Sequence, residues 1–432
     1  MTSPLAVAFI TLGCPKNEVD SDRMAAAVLS SAYHLVEEID EADVVVLNTC
    51  GFISDAVEES IDVALELATW RDAREGRRLV VAGCMVSRYG DDLATAMPEA
   101  DAFVPVAGEA GLLAVLDTLT GQRHTHAEAG ASRTVSGPSA YLQVSDGCFR
   151  TCAYCTIPAI RGPYRSRTLD EVEAEARYLV ESGAVEIVLI GQDTSAWGRD
   201  LPGDETIADV LRAVASVPGV LWLRLMYVQP DGITDLLLQT MAALPQVLPY
   251  LDMPLQHVSR DVLRAMHRTG SPAEFRSLIA RIRDIMPDAV LRSTFIAGYP
   301  GETVDDHEEL LGFIADTGID YAGVFPYSPE EGTAALALPG QLPFEERVAR
   351  ANRVREAADQ AGFQRASSLV STSLDILTEG VDDEGVAFGR WWGQAPEIDG
   401  LVALDRPTSP GTVVCARIVE AYGYDLEGEI CP

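Results

Sequence analysis

Three thiols within eight residues, Cys148, Cys152 and Cys155 in the run GCFRTCAYC, constrain this chain more than any other stretch. Sulfur ligands at C-x3-C-x2-C spacing hold three irons of a four-iron cluster and leave the fourth without a protein ligand, open to a small molecule. Two other readings compete. A structural zinc site wants four ligands, usually as two close pairs, and no second C-x2-C occurs in the chain. A disulfide belongs to an oxidising compartment, yet the start MTSPLAVAFITLGC has no basic leader and too short an apolar run for an export signal. The spacing favours the iron–sulfur reading.

An apolar run over 140–144 leads into this loop, and the pattern of strand, loop and amphipathic helix then repeats. Strands are expected over 140–144, 186–190, 221–227, 250–254, 290–296 and 321–327, with helices such as 169–182 and 259–267 between them. Six βα units predict a partial barrel with its site at the carboxyl ends of the strands. Those ends carry Gln192 and Asp193, Gln229, Gln256 and His257, the glycine-rich AGYPGET, and Tyr327 with Ser328. Gln256 and His257 serve equally as hydrogen-bonded core residues. The PGE turn equally starts a helix with Glu302 in its first turn.

The first segment, to about residue 119, reads as an α/β unit with three strand-to-helix starts. Strands over 6–11, 43–48 and 78–82 each run into a cysteine: Cys14 in TLGCPKN, Cys50 in NTCGFI and Cys84 in AGCMVSRY. In open α/β sheets the carboxyl ends of the strands share one edge, where sites form, so the three thiols are expected to converge. Separations of 36 and 34 residues match one βα repeat each. Cysteines after strands also occur simply as small buried apolar residues. Gly13, Gly51 and Gly83 adjoin the three thiols and allow the tight turns a bulky group needs, which favours a second three-thiolate cluster. Lys16, the only lysine in the chain, stands two residues from Cys14, where a cation steadies an anionic cluster or binds a carboxylate.

With 432 residues the length predicts about three domains, and 47% apolar residues are ample for packed cores. The expected division is 4–120, an open α/β domain; 121–139, a small and polar linker; 140–366, the partial barrel; and 367–432, a tail of short alternating strands. His124 and His126 fall in the linker and receive no role. A long helix rich in Arg and Glu, 344–367, leads into the tail. There, strands over 374–377, 386–391, 401–404, 413–420 and 425–429 suggest a small antiparallel five-stranded barrel. Trp391 and Trp392, adjacent in a strand, are expected on opposite faces. Cys415 and Cys431 read as non-ligands.

The net charge of −34 repels phosphate backbones and attracts basic partners. The tail, with 3 arginines against 12 acidic residues, shares that sign. No apolar run approaches a membrane span, so a cytoplasmic protein is expected.

The C-x3-C-x2-C loop after a first strand, with Tyr154 before the last cysteine, resembles the radical S-adenosylmethionine (SAM) enzymes. That resemblance implies that the open iron chelates SAM and that an electron from the cluster cleaves it to a 5'-deoxyadenosyl radical. It also implies SAM contacts at the strand ends, for which Tyr154, Gln192, Gln256 and Gly298 are the candidates. An amino-terminal domain with Cys14, Cys50 and Cys84, a radical SAM barrel and a small terminal barrel together resemble the methylthiotransferases over nearly the whole chain. The last barrel corresponds to that family's TRAM domain.

Two branches of the family modify different substrates, an adenosine of tRNA or, in the RimO type, the β-carbon of an aspartate in the twelfth protein of the small ribosomal subunit. GCPKNEVDSDRM, NTCGFISDAVEES, LDMPLQHVS and GRWWGQAPEIDG look like the ribosomal-protein branch, the Trp pair in the last run being a departure. The resemblance implies two 4Fe-4S clusters, SAM as cofactor, a basic ribosomal protein as substrate and a reductase or flavodoxin-type electron donor. Acidic charge agrees, since it steers a basic protein in. The alternatives are tRNA methylthiolation, which the charge disfavours, and a scaffold that binds SAM and a cluster without turnover.

Overall fold

The computed structural model describes residues 5–121 and 133–432. Most of the expected linker, with His124 and His126, lies outside them. The chain forms two compact units: Met1–Val135 with Asp146–Thr151 and Cys155–Arg165, and Ser136–Ser145 with Cys152–Tyr154 and Ser166–Pro432. The first unit thus takes in segments beyond the boundary the sequence suggested. Among the described residues no helix is long and apolar enough to cross a membrane.

In the first unit five parallel strands, β1 (Ala6–Thr11), β2 (His34–Leu35), β3 (Val44–Thr49), β4 (Arg78–Gly83) and β5 (Ala102–Pro105), lie in the order β2-β1-β3-β4-β5. Helices α1 (Pro15–Leu29), α2 (Ser54–Asp72), α3 (Cys84–Ala96) and α4 (Leu112–Thr120) cover it. The two faces of β3 and β4 feed two apolar clusters, one around Val45, Leu47, Leu79 and Val81, the other around Val44, Val46, Val80 and Ala82. Alternation along a strand sends successive side chains to opposite faces, so a continuous apolar run such as VVVL is what a strand buried on both sides requires. The sequence reading missed β2 and β5, which are two and four residues long.

The second unit opens with β6 (Ser139–Gln143). Past it come two-residue strands β7 (Ser145–Asp146) and β8 (Arg165–Ser166) and the short helix α5 (Ile157–Arg161), which belongs to the first unit. Then follow α6 (Leu169–Glu181), β9 (Glu186–Ile190), α7 (Ile207–Ala215), β10 (Trp222–Leu225), α8 (Asp235–Ala243), β11 (Val247–Asp252), α9 (Arg260–Ala265), α10 (Pro272–Ile285), β12 (Val290–Ala297), α11 (Val304–Thr317) and β13 (Tyr321–Pro326). Strands β6 and β9 to β13 make one open six-stranded parallel sheet in sequence order, the expected partial barrel. Helix α12 (Phe344–Ser368) buries Arg350, Ala351, Val354 and Ala358.

The tail folds as a closed barrel of β14 (Ser373–Val381), β15 (Ala387–Trp391), β16 (Val402–Leu404), β17 (Val413–Tyr422) and β18 (Asp425–Ile430). Two expectations need correction. The barrel is not wholly antiparallel, because β16 and β18 pair in parallel at the closure. Trp391 and Trp392 do not take opposite faces of a strand: β15 ends at Trp391, the chain turns, and the two rings meet edge to face with centroids 4.7 Å apart.

Polar side chains fasten this barrel within the unit. Glu186, fully buried, accepts from Arg224 at 2.9 Å and from Arg390 at 2.5 Å. Burial alone would raise its carboxyl, but the two guanidinium groups hold it at about 2. The Arg224 guanidinium lies 4.5 Å from the Tyr250 ring centroid. Tyr250 donates to Asp399, which Arg292 also meets at 3.3 Å.

Candidate functional site

Cys14 is the N-cap residue of α1, Cys50 follows β3, and Cys84 begins α3 behind the cap residue Gly83. In a 2-1-3-4-5 parallel sheet the strand order reverses between β1 and β3, and the crevice at that switch point is where ligands bind. Cys14 and Cys50 follow those two strands, and Cys84 follows the next one along.

One side chain ties the three strand ends together. Asn17, in the first turn of α1, donates to Leu12 O beyond β1 and to Thr49 O at the end of β3, both at 2.9 Å. Its Oδ1 then accepts from Cys84 Sγ at 3.4 Å and faces Cys14 Sγ at 4.0 Å. Asn48 supports it from below, donating to Asn17 O at 2.8 Å. A Cβ on Gly13, where φ is +100°, would stand 2.9 Å from Cys50 Cβ. Gly83, at φ +92°, would collide with Asn48 Oδ1 at 2.1 Å. Both positions need glycine on two counts.

A guanidinium completes this cluster of groups. Arg161, at the end of α5, donates to Asn17 Oδ1 at 3.0 Å, to Asp20 Oδ2 at 2.7 Å and to Cys84 Sγ at 3.6 Å, with its side chain 2% exposed. Burial opposes its charge, but Asp20, Cys84 and Asp146 more than offset that and keep it a cation. Glu109 behaves oppositely: burial, then Asp20, push it up to about 9, so it is a neutral acid at pH 7. Burial pushes the Cys84 thiol up to about 12 and raises that of Cys50. Each of these thiols also feels Cys14, which marks their proximity. Such thiols become thiolates when a metal takes their protons.

The donor set fits an iron–sulfur group. Among the described residues no three His, Cys, Asp or Glu side chains close on a single-ion position. Thiolates of a four-iron cluster each serve a different iron and stand wider apart than ligands to one zinc. Lys16 is buried on α1.

Cys148, Cys152 and Cys155 sit in the irregular stretch between β7 and α5. Gly147, at φ +71°, lets the backbone pass so close to Pro163 that a Cβ would lie 2.4 Å from its carbonyl oxygen. Cys148 N–H donates to Gly162 O at 3.3 Å, and Arg150 N–H points at Cys148 Sγ at 3.4 Å, the kind of amide that tunes a cluster sulfur. Within the second unit, Arg268 approaches Cys152 Sγ at 3.9 Å while donating to Gln229 Oε1 and Pro254 O, each at 2.7 Å. Ala153 is pinned by Met266 O at 3.0 Å.

Three of the four SAM candidates, Gln192, Gln256 and Gly298, follow strands at the carboxyl edge of the parallel sheet. Gln192 follows β9, and half-buried Tyr154 lies in the thiol loop. Tyr227 beyond β10, Gln256 beyond β11 and Gly298 beyond β12 have φ of 60°, 69° and 75°. Three successive strand ends in the left-handed region, two of them not glycine, are the kind of local strain that gathers at functional edges. Gln256 is locked by backbone hydrogen bonds on both sides, from its N–H to Thr294 O at 2.8 Å and from Ile296 N–H to its O at 2.7 Å.

Glu302 is not in the first turn of a helix, as its PGE setting suggested. Helix α11 starts at Val304 with Thr303 and Asp306 as its capping box. The Glu302 carboxylate turns back to accept from Gly298 N–H at 2.7 Å and Tyr299 N–H at 3.1 Å, with Arg350 at 3.0 Å. His257, its Nδ1 accepting from Ser259 N–H, is held neutral by burial, which brings it down to about 4.

Asn17, Arg161 and Arg268 were not picked out from the sequence, and Glu302 stood there only as a first-turn helix residue. Asn17 stood in a quoted motif three residues after Cys14, where the first turn of a helix aims a side chain back at the cap. No periodicity marks Arg161 or Arg268.

Comparison with known proteins agrees region by region. Residues 6–105 match the family described as uncharacterized protein family UPF0004, 142–314 the radical SAM superfamily and 370–431 the TRAM domain. Relatives named ribosomal protein uS12 methylthiotransferase RimO include that of Geobacter sulfurreducens, 39% identical over 98% of both chains. That of Symbiobacterium thermophilum is 42% identical over 99% of this chain and 91% of its own. Among solved structures, the radical SAM methyltransferase TsrM of Kitasatospora setae gives a TM-score of 0.54 at 14% identity, over 76% of this chain and 74% of its own. The cobalamin-dependent radical enzyme OxsB gives 0.52 at 12%, with 82% of this chain covering 56% of OxsB. At such identities the likeness is one of fold.

Proposed function

This chain belongs to the ribosomal protein uS12 methylthiotransferases of the radical SAM superfamily, and on that premise we propose that it places a methylthio group on the β-carbon of an aspartate in uS12 using two iron–sulfur centres. It is a SAM-dependent enzyme with a 4Fe-4S cluster. In this reading Cys148, Cys152 and Cys155 hold the cluster that binds SAM, and Cys14, Cys50 and Cys84 hold a second one. The gathering of three strand-end thiols, Cys14 and Cys84 at Asn17 with Cys50 near both, carries the two-centre reading.

Bound SAM and clusters supply what side chains lack: one-electron reduction, hydrogen abstraction from an unactivated methylene, and metal on which sulfur is held. The protein's own groups position and screen. Arg161 sets a permanent cation against Cys84, where thiolate charge would otherwise be buried unpaired. Asn17 fixes the spacing of the strand ends, and Gly13 leaves the clearance. On the barrel, Glu302 holds the Gly298–Tyr299 turn, and the locked Gln256 backbone presents that residue at the edge. Tyr154, Gln192, Gln256 and Gly298 are the proposed SAM contacts. The domain limits 4–120, 140–366 and 367–432 belong to the same reading, as does a reductase or flavodoxin-type electron donor. An acidic surface attracts the basic substrate.

Mass spectrometry of uS12 after anaerobic turnover tests the assignment, the expected product carrying one methylthio group on an aspartate. Cys152→Ala should abolish SAM cleavage. Cys50→Ala should keep cleavage and lose the product together with half of the cluster iron. Methylthio product from the Cys50 variant would remove the second centre from the scheme.

A further inference from the structure

The two cysteines outside both thiol sets stand opposite one another on the terminal barrel. Strand β17 pairs with β18 through Ala416↔Ile430, Arg417↔Glu429 and Ile418↔Gly428. One step further along, that register sets Cys415 against Cys431, and Cys431 N–H donates to Cys415 O at 2.9 Å. Opposed residues of a hydrogen-bonded antiparallel pair have Cα atoms about 5.5 Å apart, inside the ~4.4–6.8 Å window that a disulfide spans. Their side chains share one face of the sheet, and here the two sulfurs lie 2.7 Å apart.

Access is open as well. Cys415 is exposed and Cys431 half-buried, although cysteine is among the residue types most often buried when its role is packing. Among the described residues no third His, Cys, Asp or Glu joins the pair in a metal-binding group. Two accessible, directly opposed thiols with no shared metal are suited to forming a bond with each other.

We propose that Cys415 and Cys431 are a reversible thiol–disulfide site that low-molecular-weight disulfides of the glutathione class close and small dithiols reopen. The Cys415 thiolate attacks one sulfur of R–S–S–R, giving a mixed disulfide on Cys415 and releasing one R–S⁻. The Cys431 thiolate then attacks the Cys415 sulfur, forming the Cys415–Cys431 bond and releasing the second R–S⁻. Protons from the two protein thiols end on the two R–SH, so the protein loses two electrons and the small disulfide gains them. Strand β18 seals the barrel, pairing with β17 on one side and β16 on the other. The new bond fastens the end of that sealing strand.

Treating the anaerobically purified, cluster-loaded full chain with oxidised glutathione, then blocking with N-ethylmaleimide and mapping peptides, tests the site. The expected result is a cross-linked peptide pair containing Cys415 and Cys431, two hydrogens lighter than its parts and returned to two thiols by dithiothreitol. In Cys431→Ser the ring cannot close, so Cys415 should keep the glutathione adduct while the cluster iron stays at the parent level. Amide exchange along β18 should slow about tenfold in the bonded form. A parent chain in which both cysteines end alkylated, or each holds glutathione, overturns the proposal.

Discussion

Cys14, Cys50 and Cys84 converge from strand ends 36 and 34 residues apart, the first and last of them on Asn17, whereas Cys148, Cys152 and Cys155 share one loop of eight residues. The first set is a product of the scaffold. Its spacing is fixed by a parallel sheet, by Asn17 bridging two strand ends and by a buried cation. The second set is fixed by covalent spacing and by scattered holds such as Gly162 O on Cys148 and the Arg268 guanidinium beside Cys152. A scaffold-borne site links its ligands to the stability of a whole domain, and a loop-borne site does not. The barrel's strand ends add a second contrast. Around Arg161 the buried charge is a cation held by Asp20, while around Glu302 it is an anion held by backbone amides and Arg350.

These differences can be broken or sharpened by substitution. The largest effect is expected at Arg161→Met, which leaves Asp20 buried without its partner and should destabilise the amino-terminal domain by about 3–5 kcal/mol. Adding Asp20→Asn should recover much of that loss in urea denaturation. A double variant no better than the single one would show that Arg161 acts through the thiols and not through the carboxylate.

On the barrel side the buried imidazole gives a pH signature. His257 is neutral on both sides of unfolding above its ordinary value of 6.5. As pH falls from 6.5 towards about 4, the unfolded chain takes up the proton first, so native stability declines. The loss should total roughly 3 kcal/mol by pH 4, and His257→Gln should flatten that part of the slope. A slope unchanged by the substitution would put the sensitivity elsewhere.

The smallest effect compares two glycines. Gly13→Ala and Gly147→Ala each force a left-handed residue and a close contact, for about 1–3 kcal/mol each. The first should lower the melting temperature of the amino-terminal unit more, because Gly13 meets Cys50 at the sheet edge whereas Gly147 meets Pro163 within the loop segment of the same unit. Equal shifts in that unit would erase the distinction between scaffold-borne and loop-borne thiols.

The loop set stood out because its signal lies in local spacing: C-x3-C-x2-C is visible without a fold. Cys14, Cys50 and Cys84 were legible one level up, since an apolar strand followed by a cysteine places that cysteine at a known edge. What escaped lies beyond both levels. Arg161 leaves the loop segment and ends among residues of the first sheet, a destination no spacing encodes. The turned-back Glu302 carboxylate depends on where α11 starts, and the Thr303–Asp306 capping box decided that against the PGE turn. The short strands β2 and β5 carry too few residues for a period, and the parallel β16–β18 pairing arises from barrel closure, not from any run of sequence.

The fastening of the terminal barrel by Glu186, Arg390 and Asp399 has a geometric corollary. Glu186 opens β9 and Arg292 lies early in β12, so the clasp grips the amino ends of the parallel strands, while Gln192, Gln256 and Gly298 stand at their other tips. Five residues of strand measure about 17 Å. The anchorage of the small barrel therefore lies about a strand's length from those tips, on the opposite rim of the sheet.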